Sequence, residues 1–519
     1  MRISLILIFL TSVFCARAQN NIEDLDIAFG PMFSVSKRSV PTQFVGSDAE
    51  SFYVVYSRGK TGTGRRYLHK FGFDLKLEQE ARLSTRLGSI DTESEAVLML
   101  DGKIFQIMHA SYGNKRNFYV QPIEREGLKL GQEQLIGTFT SQGRGLGQSK
   151  TFINATRDSS YVSVIYTIPG KRKENEQFAV NIFNKKMEKV WSQQYEFPYE
   201  NRLIDLQEFR VDGNGDLYAL AKRNFENRRD RVDGLVNYDY LLFNLKREGG
   251  IDSLKINTEG KFLRDMKVEF TPEGDIVSAG FYSNLNASDA GGAFYMRLDG
   301  KTKEVVSSSF KEFELDFVLQ NLTERKAKRV EKRIKQGRNR ELPYYHIDEL
   351  VAMPDGSVRM IGEQRLIYTT TMGYGVSTVT QTHYLYNDMV IVSINKDGEV
   401  EWAERIAKRQ HTIDDRAAYS SYALMKRDNE LAFMFNDNAQ NLDYNGVGRV
   451  APMAKNSSTV VMAARVGQFG DVRRAGLFRR GEAEIKIRPV FAHQLDEDEL
   501  LLFGHRQLRE QRFVIVKFK

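Results

Sequence analysis

Short apolar runs separated by tight polar turns recur along almost the whole chain. The unit is an apolar run, an Asp/Glu/Gly turn, and a second apolar run that often ends in Gly or Ala. It reads AVLMLDGKIFQIMHA from Ala96, EFRVDGNGDLYALA from Glu208, VEFTPEGDIVSAG from Val268 and ELVAMPDGSVRMIG from Glu349. Weaker copies begin at Phe44, Phe152, Tyr422 and Phe491, which makes eight. Asp-Gly between two strand-like runs marks a β-hairpin, because both turn positions need positive φ. A second hairpin follows each of the first seven, as in FYMRLDGKTKEVV from Phe294 and VIVSINKDGEVEWAERI from Val390. Two hairpins make four antiparallel strands, and eight units give a repeat of about 63 residues, the size of a propeller blade with its loops.

Several runs do not alternate. Leu217-Tyr218-Ala219-Leu220-Ala221 and Leu500-Leu501-Leu502-Phe503-Gly504 are apolar at successive positions, so both faces of the strand need cover. Blades sandwiched between neighbours provide it, whereas a two-layer sandwich calls for cleaner in/out alternation. The eighth unit has one hairpin and then only Arg512–Phe518 before the chain stops. The stretch from Ile27 to Ser36 (IAFGPMFSVS) is expected to supply its missing strand and close the ring. The sequence therefore predicts an all-β chain, a β-propeller of four-stranded antiparallel blades. Eight blades are favoured and seven are the alternative, within a single domain over 19–519.

One segment, about 314–343, breaks the strand rhythm. Asn321 and Glu324 have the spacing of a capping box, and Ala327, Val330 and Ile334 follow at helical intervals. Gly337 sits where a C-cap glycine belongs. From Arg325 to Arg340 there are nine basic residues and one acidic, Glu331. Arg325, Arg329 and Arg333 are candidate partner-binding residues for anionic envelope material or a protein. The plainer reading is a solvated helix laid on the propeller by its apolar stripe.

Composition narrows the compartment. The 519 residues are 41% hydrophobic and 28% charged, with 40 Gly and 10 Pro, which excludes collagen, coiled-coil and disordered chains. Arg2, the apolar run Ile3–Phe14 and Ala16-Arg17-Ala18 form a secretory leader over 1–18. The only cysteine, Cys15, lies inside it. The mature chain is thus expected to have neither disulfides nor thiolate chemistry, and to act in the periplasm, at the cell surface or outside the cell. No further apolar stretch is long enough to cross a membrane. Loss of Arg2 and Arg17 lowers the net charge from +7 to +5, a mild excess compatible with anionic partners. Export argues against nucleic acid as a partner.

Topology then selects a side. In each unit the first and third turns share one side of the wheel, while second-to-third connections and crossings share the other. The first set is short, as at Asp101-Gly102, Asp299-Gly300, Asp355-Gly356 and Asp397-Gly398. The second includes Lys222–Tyr238, Glu363–Asn387, which has the look of its own hairpin, Asn436–Ser458 and the basic helix. Long loops on a rigid scaffold are where binding concentrates. The innermost strands begin on that side, and three consecutive units place an acid there, about eight residues before the turn glycine. These are Asp205, Asp265 and Asp348, with Arg264, His346 and Ser421 as expected neighbours. Converging acids can bind a cation, an amine or a sugar, or raise one carboxyl for acid/base chemistry. The plainer reading bonds each acid to neighbouring amides or a basic side chain.

Familiar catalytic signatures do not occur. Asp212-Gly213-Asn214-Gly215-Asp216 has calcium-loop spacing but lacks the sixth-position glycine and twelfth-position glutamate. There is no H-E-x-x-H and no G-x-S-x-G. Gly143-Arg144-Gly145-Leu146-Gly147 lacks the ending of a phosphate loop, so no cofactor and no metal are expected. Tyr386-Asn387-Asp388, Lys408-Arg409-Gln410-His411-Thr412, Tyr419-Ser420-Ser421-Tyr422 and Phe435-Asn436-Asp437-Asn438 resemble segments of a group of exported bacterial proteins. That resemblance implies a secreted, propeller-like protein and carries no assigned activity or catalytic residue. The sequence favours a non-enzymatic binding or scaffold propeller that engages a protein, a glycan or envelope material through its loop-rich side. The alternative is a carbohydrate-active hydrolase or lyase using carboxylates of the central funnel.

Overall fold

Strands that are apolar on both faces need two partners, and the fold supplies them. The computed structural model describes residues 25–519, apart from 37–38, 60–63, 141–148, 157, 287, 337–340, 375–376, 454–457 and 508. The leader over 1–18 with Cys15, the glycine cluster Gly143–Gly147, and Gly337, Arg338 and Arg340 lie outside the described residues. No described helix is long and apolar enough to cross a membrane.

Eight sheets of four or more strands follow one another along the chain. The first runs Ser39–Ser47, Ser51–Arg58, Arg65–Gly72 and Leu77–Arg82, each strand antiparallel to the next. The second to seventh sheets begin at Glu93, Thr151, Ile204, Phe262, Tyr345 and Ala423 and repeat that meander. Tight turns join the hairpins; Asp101 and Gly102, with φ of 48° and 70°, make the positive-φ pair that Asp-Gly foretells. Second strands such as Ile276–Ser283 are buried at every position. The fold is a β-propeller of antiparallel sheets.

Cover comes from the neighbours. A cluster of buried apolar residues lies at each junction between consecutive sheets, such as Phe178, Phe197, Leu217 and Phe243 between the third and fourth. The last junction joins the eighth sheet to the first, where Phe513 meets Phe52 and Phe71 with ring centroids 5.1 and 4.9 Å apart. Burying such a side chain contributes about 1.5–3 kcal/mol relative to exposure. The eighth sheet consists of Glu499–Gln507 and Glu510–Phe518, short inner pieces at Lys486–Ile487 and His493–Gln494, and a strand from the other end of the chain. That strand is Leu25–Phe29, pairing Leu25 with Phe518 through Phe29 with Val514. Phe33 and Ser34 pair further along the same strand. Closure by the N-terminal segment is as the sequence implied, and it covers the outer edge of Glu510–Phe518.

Elaboration gathers on the expected side, with one exception. The connections 225–237 and 439–458 link second to third strands. In the sixth sheet, Val358–Tyr374 and Ser377–Ile394 run past the sheet as one long hairpin, the arm foreseen in Glu363–Asn387. The exception is the link over 124–133 in the second sheet, which joins a third strand to a fourth on the opposite side. The helical insertion forms Leu315–Leu319 (α1) and Glu324–Lys335 (α2). Thr323 occupies the N-cap position of α2, not Asn321. Asn321 has φ of 64° and is committed elsewhere: its Nδ2 donates to the Arg405 carbonyl and its Oδ1 accepts from Tyr444. Ala327, Val330 and Ile334 are half-buried, with Val330 against the core between the fifth and sixth sheets, while Arg325, Arg329 and Arg333 point to solvent.

Candidate functional site

The innermost strands reach the loop-bearing side through a repeated irregularity. In the second, fourth, fifth and sixth sheets the pairing of the first strand slips near its start, around Glu95, Gln207, Arg264-Asp265 and Asp348. Such β-bulges leave a residue unpaired and re-aim its side chain. A polar ring of seams results. Gln43 bonds both the N–H and the carbonyl of Val97, Glu208 accepts from the Val268 amide at 3.2 Å, and Gln494 bonds both backbone groups of Lys426.

The three sequence-nominated acids engage different direct partners. Asp265 lies 3.2 Å from His346 Nδ1 and accepts weakly from the Ile347 amide at 3.4 Å, and the Arg264 guanidinium contacts the ring nitrogens of the same imidazole. Arg264, Asp265 and His346 therefore form one group across the fifth and sixth sheets. Asp348 is held by Arg365 and by the Tyr422 hydroxyl at 2.8 Å. Burial pushes its carboxyl up to about 7 against the pull of Arg365, with Glu363 adding to the rise. Asp205 lies 3.7 Å from Lys150 Nζ and accepts from Gln207 at 2.7 Å.

Ser421 belongs with Asp348, through a buried network that composition and motif do not reveal. Glu363 and Lys408 have side chains with no exposed surface and pair at 2.6 Å. Lys408 Nζ also donates to Gln410 at 2.9 Å and to the Tyr386 carbonyl at 3.1 Å. Ser421 Oγ donates to the other Glu363 oxygen at 2.9 Å, and its N–H donates to Gln410 at 2.7 Å. Asp388 takes the Lys408 N–H, and Asn436 ties the Tyr419 and Ile487 carbonyls. All four segments that carry the resemblance feed this one knot. A buried pair satisfied on every side binds the crossing at 407–422 to the sixth and seventh sheets.

Two carboxyls were missed. Glu95 lies at 2.5 Å from His109 Nδ1 in the second sheet. It stands seven residues before Gly102, so the rule that found Asp205 covers it too. Glu176 carries no sequence signal. It lies on strand Asn175–Asn184 of the third sheet, where pairing with Lys189–Glu200 slips between Asn175 and Gln177. The amides on either side, Asn175 and Gln177, both donate to Glu196, at 2.9 and 2.8 Å. Glu176 enters a cavity of about 320 Å³ between the third and fourth sheets, shared with Lys150, Arg172, Asp205 and Arg228. Burial pushes its carboxyl up to about 7; Lys150 and Arg228 pull it down and Asp205 pushes it up. At Asp212 the turn reading fits: its carboxylate accepts the Asn214 and Asp216 amides, each at 2.9 Å.

No family model matches the chain, and no curated protein matches it. Solved structures do. The Dos1 propeller shares 11% identity over 94% of this chain and 94% of its own, with a TM-score of 0.43. The β-propeller domain of the Trilobed protease from Pyrococcus furiosus shares 11% identity over 83% of this chain and 94% of its own, at 0.34. A protein of unknown function from Bacteroides caccae shares 12% over 69% of this chain and 94% of its own, at 0.28. The chain's own succession of four-stranded antiparallel sheets makes it a β-propeller protein.

Proposed function

We propose that the chain is an exported binding propeller that captures a glycan, protein or envelope component on the side bearing its long connections. The observation that carries this reading is the state of the nominated acids. Asp265 is occupied by His346, Asp348 by Arg365 and Tyr422, and Asp205 is shared between Lys150 and Gln207. Carboxylates held this way build a rigid, charge-balanced rim rather than a facing acid/base pair. The same side of the topology carries the long hairpin of the sixth sheet, the start of the connection after Asn438 and the exposed basic residues of α2. Export rests on the leader over 1–18 and makes the mature chain begin at Gln19.

A hydrolase or lyase reading is favoured by one observation, the sharing of a cavity by Glu176 and Asp205. A single experiment separates the two. The full chain is mixed with polygalacturonate, alginate and dextran, and its retardation in native gels is read beside the release of new sugar ends. Retardation without new ends supports capture. New ends that disappear in Glu176→Gln establish the enzyme. No retardation by any of them, nor by detergent-extracted envelope material, overturns the binding reading.

A further inference from the structure

We propose that the cleft between the third and fourth sheets binds an acidic oligosaccharide, its carboxylate set against Lys150 and Arg172 with Glu176 on the facing wall. The proposal rests on the binding reading above and names its site and ligand class.

Geometry comes first. Three hollows of about 320, 320 and 340 Å³ adjoin here, each at the lower end of the range of small-molecule sites. The first two share Ile168, Pro169 and Gly170, and the first and third share Arg172, Asn201 and Arg228. Adjoining hollows suit an extended chain of sugars better than a single compact molecule. Their lining is largely amide and charged, basic in the first and third hollows and with Glu174 and Glu196 beside Lys173 in the second. A ligand carboxylate therefore fits the first and third while sugar hydroxyls fit the second, and an apolar side chain finds little.

The cations are available to an anion. Arg172 is exposed and its guanidinium makes no ion pair among the described residues. Lys150 is held by its backbone, with its N–H on Thr167 Oγ1 at 2.9 Å and its carbonyl accepting the Thr167 N–H. Its ammonium remains largely exposed, at a loose 3.7 Å from Asp205. Arg228 forms the far wall, its guanidinium on the carbonyls of Asn201, Arg202 and Ile204. Three cations thus face the carboxyls of Asp205 and Glu176.

Glu176 gives the cleft a pH response. The charges facing it come from every neighbouring element: Lys150 before the third sheet's first strand, Arg172 before its own strand, Asp205 on the fourth sheet's first strand, and Arg228 in the connection 225–237. With a carboxyl that titrates at about 7, a ligand carboxylate nearby favours the protonated form and receives a hydrogen bond from it. Ligand and proton are then taken up together, and affinity falls as pH rises past neutrality.

The test uses the full chain and isothermal titration with trigalacturonate. Maltotriose serves as the neutral control, galacturonate as the single-sugar arm and hexaglutamate as the acidic peptide arm. Trigalacturonate is expected to bind at least about tenfold more tightly than maltotriose or galacturonate, and Lys150→Ala and Arg172→Ala each to weaken it about tenfold. Glu176→Gln, which keeps the shape, is expected to retain affinity at about pH 6 and to lose the fall that the wild type shows by about pH 8. Equal binding of maltotriose, tighter binding of galacturonate or hexaglutamate, or full binding by the folded Lys150→Ala/Arg172→Ala chain overturns the proposal. So does failure of the folded wild type to bind trigalacturonate. If polygalacturonate still retards a chain in which the double substitution is silent, capture stands and only this site falls.

Discussion

The seam between the sixth and seventh sheets and the seam between the third and fourth are built from the same kinds of side chain in opposite states. In the first, Glu363 and Lys408 are sealed at 2.6 Å, and Ser421, Gln410 and the Tyr386 carbonyl take up the remaining bonding capacity. In the second, Glu176 stands on a bulge in a cavity, and the nearby Lys150 is loosely paired with Asp205. A closed network spends its charge on holding strands together, while an open one leaves charge to meet a ligand. Charge and residue type alone therefore do not separate scaffold from site; closure does.

The closed seam breaks hardest. Lys408→Ala leaves the buried Glu363 without its 2.6 Å cation, keeping only the Ser421 hydroxyl and a 4.0 Å approach of Arg365, and is expected to cost about 3 kcal/mol, read by denaturant unfolding. Replacing both partners by Leu and Met should recover much of that loss, because no orphan charge remains. Full recovery with Lys408→Ala alone would mean that the seam is looser than its geometry.

Acid sharpens the comparison next. Burial lowers His69, His493 and His505 to about 4. A histidine depressed in the fold adds stability that is present above its unfolded value of 6.5 and is lost as pH falls towards 4. The melting temperature should drop over that window, and His69→Phe should shallow the drop. Glu176 and Asp348 act in the other direction: raised to about 7, they contribute stability below their unfolded values that is lost as pH rises through 7. Glu176→Gln should accordingly stabilise the fold above pH 7, by less than about 1 kcal/mol of unfolding free energy once solvent screening is included.

Open-seam and surface substitutions should scarcely register in stability. Asp205→Ala is expected to stay within about 0.5 kcal/mol of the wild type, since its partners Lys150 and Gln207 are exposed. Reversing Arg325, Arg329 and Arg333 to Glu should leave the melting temperature unchanged within error. A partner that docks on α2 would then be lost from co-purification. A large fall in melting temperature in either variant would move those residues from the open class to the closed one.

Much of this architecture could be read from particular residues. The hairpins at Asp101-Gly102 and Asp355-Gly356 announced themselves, as did the N-terminal strand that completes the last sheet. Asn321 misled because a helix cap and a tertiary hydrogen bond want the same side chain, and Arg405 and Tyr444 claimed it. Glu176 was illegible because a bulge is a slip in register between two strands, and nothing in Asn175-Glu176-Gln177 specifies where the partner strand slips. The Glu363–Lys408 pair was equally hidden, joining residues 45 apart in the chain.

By itself the sequence determined which segments are strands, where they turn and that their apolar faces need cover on both sides, since backbone periodicity and turn conformation are local properties. Tertiary structure alone decided which charges are sealed and which are left open. Desolvation and pairing depend on the distance between side chains that only the closed ring brings together.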